Sequence, residues 1–170
     1  MGVLLLVPFF LVRFGLMALL DRGALPRAAH FPPLLGGERA AYWVYQLSTA
    51  ALILGLCAVR VRPSRALLPG VVCYVLGLTL LAGAVAGFCA PSEDSLRQKG
   101  VYRFSRNPMY AAYFVFFAGC CLLTASWPLT AALACFQVSA HWIILAEERW
   151  CLEHFGETYR EYMERVRRYI

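Results

Sequence analysis

The stretch Gly100–Tyr110, with the sequence GVYRFSRNPMY, lies between two long apolar runs and is dense in polar chemistry. It combines a glycine, several aromatic side chains, two arginines and an Asn-Pro step. Asn107 followed by Pro108 predicts a helix start, because asparagine can cap free N–H groups and proline has the φ angle of a first helical position. The sequence therefore predicts an apolar helix that begins at Pro108.

The predicted helix start also favours anion binding. A helix begins with unpaired N–H donors and the positive end of its dipole, and Arg106 immediately precedes this one. The stretch is thus a candidate seat for a carboxylate or a phosphate. The alternative is that its arginines only face lipid headgroups beside a capped helix.

The composition excludes a soluble domain. Of the 170 residues, 61% are hydrophobic and 15% are charged, and the mean hydropathy is +0.60, so we expect an integral membrane protein. The formal charge of +6 comes from arginines beside apolar runs, which predicts the lipid bilayer and not nucleic acid as partner. The seven cysteines form no Cys-x-x-Cys pair and predict buried fillers, with no metal site.

Five apolar runs predict an all-α polytopic membrane helix bundle with about five transmembrane helices and a C-terminal amphipathic helix. The chain is interpreted as one domain: residues 1–90 supply three spans, and residues 91–170 supply a loop, a helical hairpin and the amphipathic helix. We interpret the first run as a retained span and not a signal peptide. The predicted spans are Val3–Leu20, Ala40–Val59, Leu67–Ala90, Pro108–Ser126 and Leu129–Ala146.

Two features inside the spans need a partner. Arg13 lies within the first span, where it must extend toward the nearer interface or point into the bundle. Gly83 and Gly87 share one face of the third span and favour close packing of a neighbouring helix, or a ligand.

The C-terminal segment has helical periodicity. Its apolar residues recur at spacings of three and four, which predicts an amphipathic helix that lies on the membrane or folds back as a lid. Gly156 is the position where this helix can bend. The apolar residues are Leu152, Phe155, Tyr159, Tyr162, Val166 and Tyr169.

The distribution of basic residues predicts the orientation. In a five-span arrangement, twelve arginines and lysines fall on one side and three on the other. The positive-inside rule then puts the C-terminus and the Gly100–Asn107 loop in the cytosol, and the N-terminus outside.

The last two spans bring distant charges together. The short Trp127-Pro128 turn predicts an antiparallel hairpin, which sets Arg106 beside Glu147 and Glu148. A helix start with an arginine attracts an anion, and a helix end with two carboxylates attracts a cation. Together they favour a zwitterion with separated charges, such as the amino-acid end of a nucleotide-like cofactor, although ordinary solvated charges are the alternative.

These motifs resemble the isoprenylcysteine carboxyl methyltransferase and phospholipid methyltransferase superfamily. The resemblance rests on Gly100-x-Tyr102-x3-Arg106-Asn107-Pro108-x-Tyr110, an apolar hairpin, and Glu147-Glu148-x3-Leu152-x2-Phe155-Gly156-x2-Tyr159-x2-Tyr162. It covers roughly the last hundred residues. This chain has Asn107 where the family often has histidine, and asparagine cannot act as a base near neutral pH.

The resemblance implies an enzyme that transfers a methyl group from S-adenosylmethionine to a lipophilic acceptor and releases S-adenosylhomocysteine. An isoprenylcysteine-type carboxylate, a phospholipid amine and a small thiol all stay open as acceptors, as does the oligomeric state. A non-catalytic membrane assembly or carrier protein, in which Arg106 and Glu147 merely pair, is the competing class. The implied catalytic residues are Arg106, Asn107 and Glu147, and the implied cofactor-binding residues are Gly100, Tyr102, Arg106, Asn107, Pro108, Tyr110, Glu147 and Glu148.

Overall fold

The computed structural model of this chain describes residues 1–28, 31–90 and 98–169. Residues 91–97 of the predicted loop, including Arg97 of the charge count, lie outside the described residues. The regular structure of the described part is helical throughout, with a 3₁₀ turn at Gly100–Arg103. The helices are α1 (Gly2–Leu20), α2 (Ala24–Ala28), α3 (Glu38–Ala58), α4 (Leu67–Cys89), α5 (Pro108–Thr124), α6 (Trp127–Phe155) and α7 (Glu157–Arg165).

Four of these helices, α1, α3, α4 and α6, are long and apolar enough to cross a membrane. The fourth predicted span, α5, is apolar but has 17 residues, or about 25 Å at the helical rise. That length lies at the lower limit for a span. The predicted all-α membrane bundle is confirmed, and the chain is an integral membrane protein.

Arg13 lies in a π-helical turn of α1, Leu11–Leu16. Its Nη1 contacts Met17 Sδ at 3.3 Å, and its Nη2 lies 3.5 Å from the Ala28 carbonyl oxygen. The side chain therefore points into the bundle, toward the fully buried Met17 and the Ala28 carbonyl, which is the second of the two predicted alternatives.

Glycines determine how closely the helices pack around the candidate site. A Cβ at Gly77 of α4 would meet the backbone of Phe116 in α5, so these two helices pack with almost no space between them. The prediction that Gly83 and Gly87 face a neighbouring helix is wrong. A Cβ there would meet Val101 and Tyr102 of the 3₁₀ turn, so these glycines seat the segment that leads into α5.

The connection between α5 and α6 differs from the prediction. The reversal occurs at Ala125, in the left-handed region with φ 47° and ψ 40°, followed by Ser126. Trp127 and Pro128 are the first residues of α6 and not a turn, because proline fits the start of a helix. Beyond this reversal α5 packs chiefly along α4, and α6 chiefly along α3.

Helix α6 continues beyond its predicted end at Ala146 and stops at Phe155. The added residues include good helix formers, and no glycine or proline occurs before Gly156, where φ is 52°. Glu147 and Glu148 therefore lie about two turns inside a helix. The predicted contribution of a helix end to cation binding is wrong.

Helix α7 folds back, which is the lid alternative of the two predicted for the C-terminal segment. Tyr159 and Tyr162 are buried in a small cluster with Cys151 and Phe155 of α6. The helix ends at Arg165, so the predicted continuation through Val166 and Tyr169 is wrong. Val166 is extended, with φ −123° and ψ 132°.

Candidate functional site

The 3₁₀ turn before α5 is anchored on two sides. The Tyr102 ring is buried and lies against Gly87 of α4. The Tyr102 carbonyl accepts a hydrogen bond of 2.6 Å from the Tyr162 hydroxyl of α7. Gly100 opens the turn with φ 63°, a conformation that favours glycine. Gly100 and Tyr102 thus hold the start of α5 in position.

Asn107 occupies the N-cap position of α5 and Pro108 the first helical position, as predicted. The predicted cap is wrong, however, because the Asn107 side chain makes no capping hydrogen bond. Its Nδ2 donates instead to the Arg168 carbonyl at 3.1 Å and to Glu148 Oε1 at 3.5 Å. The amide thus joins the start of α5 to α6 and to the C-terminal segment.

Arg106 is buried beside this helix start, with its side chain 8% exposed. Its Nη2 lies 3.3 Å from Glu148 Oε1. Its Nε and Nη1 are buried and have no hydrogen-bond partner in the described part of the chain. An unsatisfied buried donor costs about 1–3 kcal/mol, so the guanidinium offers two donors that a carboxylate or phosphate would satisfy.

The two adjacent glutamates contact different neighbours. Successive residues on a helix point about 100° apart, so Glu148 turns toward Arg106 while Glu147 accepts a 2.7 Å hydrogen bond from the Tyr110 hydroxyl. Glu148 is 4% exposed. The prediction that the charged groups meet is confirmed for Arg106 and Glu148. The predicted separation of an anion-binding and a cation-binding pole is wrong for this pair, because the two groups touch.

Tyrosine rings surround the Glu147 side of the site. Tyr110 lies in edge-to-face contact with Tyr45 and Tyr113, with centroid distances of 6.2 and 6.3 Å. A small cavity of about 130 Å³ borders Tyr110 and Tyr169 between α5 and α6. Aromatic faces and a carboxylate therefore meet in one place.

The C-terminal segment supplies site residues that the sequence interpretation missed. Arg168 Nε and Nη2 lie 3.0 and 2.8 Å from Glu148 Oε2, and this hydrogen-bonded carboxylate raises the pKa of Arg168. The Tyr169 hydroxyl lies 2.6 Å from His141 Nδ1. The available signal was the cluster Arg165, Arg167 and Arg168 near the C-terminus, which is opposite in charge to the paired glutamates.

An apolar groove of about 590 Å³ opens between α3 and α6. Its lining includes the small side chains of Ala41 and Ala134 and the ring of Trp142.

Within residues 1–28, 31–90 and 98–169, no group of three or more His, Cys, Asp or Glu side chains could hold a metal ion.

Part of the chain matches the model of a known protein family. Residues 81–158, somewhat less than half of the chain, match the model of the family described as phospholipid methyltransferase. No curated protein matches the chain. No solved structure matches it either. The family match confirms the predicted resemblance over residues 81–158, where the chain is similar to the phospholipid methyltransferase family.

Proposed function

We propose that the protein is an S-adenosylmethionine-dependent methyltransferase that acts on a lipophilic acceptor. The observation that carries the proposal is the buried Arg106 guanidinium with two unsatisfied donors. A purely structural ion pair with Glu148 does not account for these two unsatisfied donors, because burying unmatched hydrogen-bond donors lowers stability. Nε and Nη1 lie on different edges of the guanidinium, so each can donate one hydrogen bond to an anionic oxygen, such as a carboxylate oxygen of the amino-acid end of S-adenosylmethionine.

The remaining residues fit the rest of the donor. Glu148, in contact with Arg106, would take the ammonium group of the same amino-acid end. The rings of Tyr110 and Tyr113 offer π faces to a sulfonium ion. When bound, S-adenosylmethionine supplies an electrophilic methyl group, and its S–CH₃ bond breaks as the bond from methyl to acceptor forms.

Glu147 is the carboxylate left for the acceptor side. It lies on a different face of α6 from Glu148 and has the Tyr110 hydroxyl as its hydrogen-bond donor. A carboxylate or thiolate acceptor needs no base, whereas an amine must lose one proton, which Glu147 could accept. The protein's main task is then to align acceptor and donor in a site that excludes water.

The apolar groove between α3 and α6 is our candidate for the acceptor's hydrocarbon chain. Its apolar walls suit a lipid tail. Trp142, at its border, is about one and a half helical turns from Glu147. We further propose, from the distribution of basic residues, that the site faces the cytosol.

Transfer of tritium from methyl-labelled S-adenosylmethionine into a lipid extract tests this function. Purified wild-type protein should label a lipid-soluble product, and Arg106→Ala should label it far less. The matched control is Arg103→Ala, which removes an exposed arginine from the same segment. Labelling equal to a protein-free blank, together with no binding of S-adenosylhomocysteine, would favour the non-catalytic class.

A further inference from the structure

The last described residues of the chain lie across the candidate site. After α7 the backbone is extended, and the Arg167 carbonyl accepts a 2.9 Å hydrogen bond from the Arg106 backbone N–H. The next carbonyl, that of Arg168, accepts from Asn107 Nδ2 at 3.1 Å and lies 3.5 Å from Ser105 Oγ. Two successive carbonyl oxygens thus lie on donors at the start of α5.

The side chains of the same segment reach α6. The Arg168 guanidinium contacts Glu148 Oε2 through two nitrogens, at 2.8 and 3.0 Å. The Tyr169 hydroxyl lies on His141 Nδ1, and its side chain borders the cavity beside Tyr110. The segment therefore presents a cation to Glu148 and oxygens to neighbouring donors, the arrangement that an amino-acid zwitterion would also present.

We propose that Val166–Tyr169 is an internal occupant of the donor site and that the methyl donor must displace it to bind. This inference rests on the proposed function. The donor's ammonium and the Arg168 guanidinium would compete for Glu148, and each satisfies the same buried carboxylate. The segment leaves Nε and Nη1 of Arg106 without hydrogen-bond partners. The methyl donor would gain hydrogen bonds from these two nitrogens in addition.

The form of the competition follows from the charges. Glu148 raises the pKa of Arg168, so this side chain stays protonated through the physiological range and deprotonation does not release it. The apparent association constant for the methyl donor is then the intrinsic association constant multiplied by the fraction of molecules in which the segment is displaced. Weakening the segment's hold should raise that fraction and tighten donor binding.

Calorimetric titration of S-adenosylhomocysteine into the full-length, detergent-solubilised protein tests the inference. Arg168→Ala should bind roughly three- to tenfold tighter than wild type, because a displaced site becomes more populated. Arg167→Ala is the matched control. It removes the same charge one residue earlier, but Arg167 is exposed and its contact with the site is made by the backbone, so affinity should stay within about twofold of wild type.

A second measurement separates displacement from a general loss of structure. Trypsin cleaves after Arg167 and Arg168, so cleavage there should become faster when S-adenosylhomocysteine is added to the wild-type protein. Slower cleavage, or Arg168→Ala binding equal to or weaker than wild type, would overturn the inference while leaving the proposed function intact. No binding by any of the three proteins would refute the proposed function and this inference with it.

Discussion

Replacement of Arg106 by alanine is the sharpest test of the donor site. The guanidinium has two buried donors without partners and one contact of 3.3 Å to Glu148. Hydrogen bonds to charged groups contribute about 1.5–3 kcal/mol. If the donor's carboxylate uses these nitrogens, Arg106→Ala should weaken S-adenosylhomocysteine binding by at least that amount, or about 10- to 150-fold in dissociation constant.

The fold should tolerate this substitution. Glu148 keeps its contacts with Arg168 and Asn107 when Arg106 is shortened, so the buried carboxylate is not left unpaired. Two unsatisfied donors are removed at the same time, which offsets part of the lost ion pair. We therefore expect a small change in melting temperature beside a large change in affinity.

The assay is isothermal titration of S-adenosylhomocysteine into purified protein, with melting temperature measured on the same samples. Arg106→Lys keeps the charge but loses the planar fork of donors, so its affinity should fall between those of wild type and Arg106→Ala. Arg103→Ala should bind as wild type does. Arg106→Ala binding within twofold of wild type would refute the argument from the unsatisfied donors.

Three further predictions follow from the same geometry. Glu147→Gln should lower kcat by about 10²-fold or more with an amine acceptor while changing the affinity for S-adenosylhomocysteine little; equal losses in both would assign Glu147 to the donor instead. Ala41→Phe should fill the apolar groove and raise KM for a long-chain acceptor, whereas Ala50→Phe, on an exposed face of the same helix, should not; equal effects would exclude the groove as acceptor site. Tyr162→Phe removes a buried 2.6 Å hydrogen bond to the 3₁₀ turn and should lower the free energy of unfolding by about 0.5–1.5 kcal/mol, measured by chemical denaturation, and an unchanged value would mean that the bond has no net effect.

Local chemistry made several features predictable. Apolar runs long enough for a bilayer have few folded alternatives to helices, because lipid cannot satisfy exposed backbone groups. Pro108 fixed the start of α5, and Gly156 fixed the break after α6, since each residue acts on its own backbone. The motif around Arg106 and the paired glutamates was enough to predict the family pattern that residues 81–158 confirm.

The partners of those residues depend on tertiary structure. The sequence alone could not separate Glu147 from Glu148, because their directions differ only once the helix is known to continue past Ala146. Asn107 was predicted to cap its own helix, yet α6 and the C-terminal segment offer its amide a carboxylate and a carbonyl oxygen.

The sequence by itself determined a helical membrane protein with a cationic helix start and two acidic residues at a later position, because composition and local backbone preferences act within a few residues. Only the tertiary structure decided that Arg106 keeps two donors unsatisfied and that Arg168 lies on Glu148. Those facts require segments some 20 to 60 residues apart to meet, and contacts at such separations depend on how the helices pack.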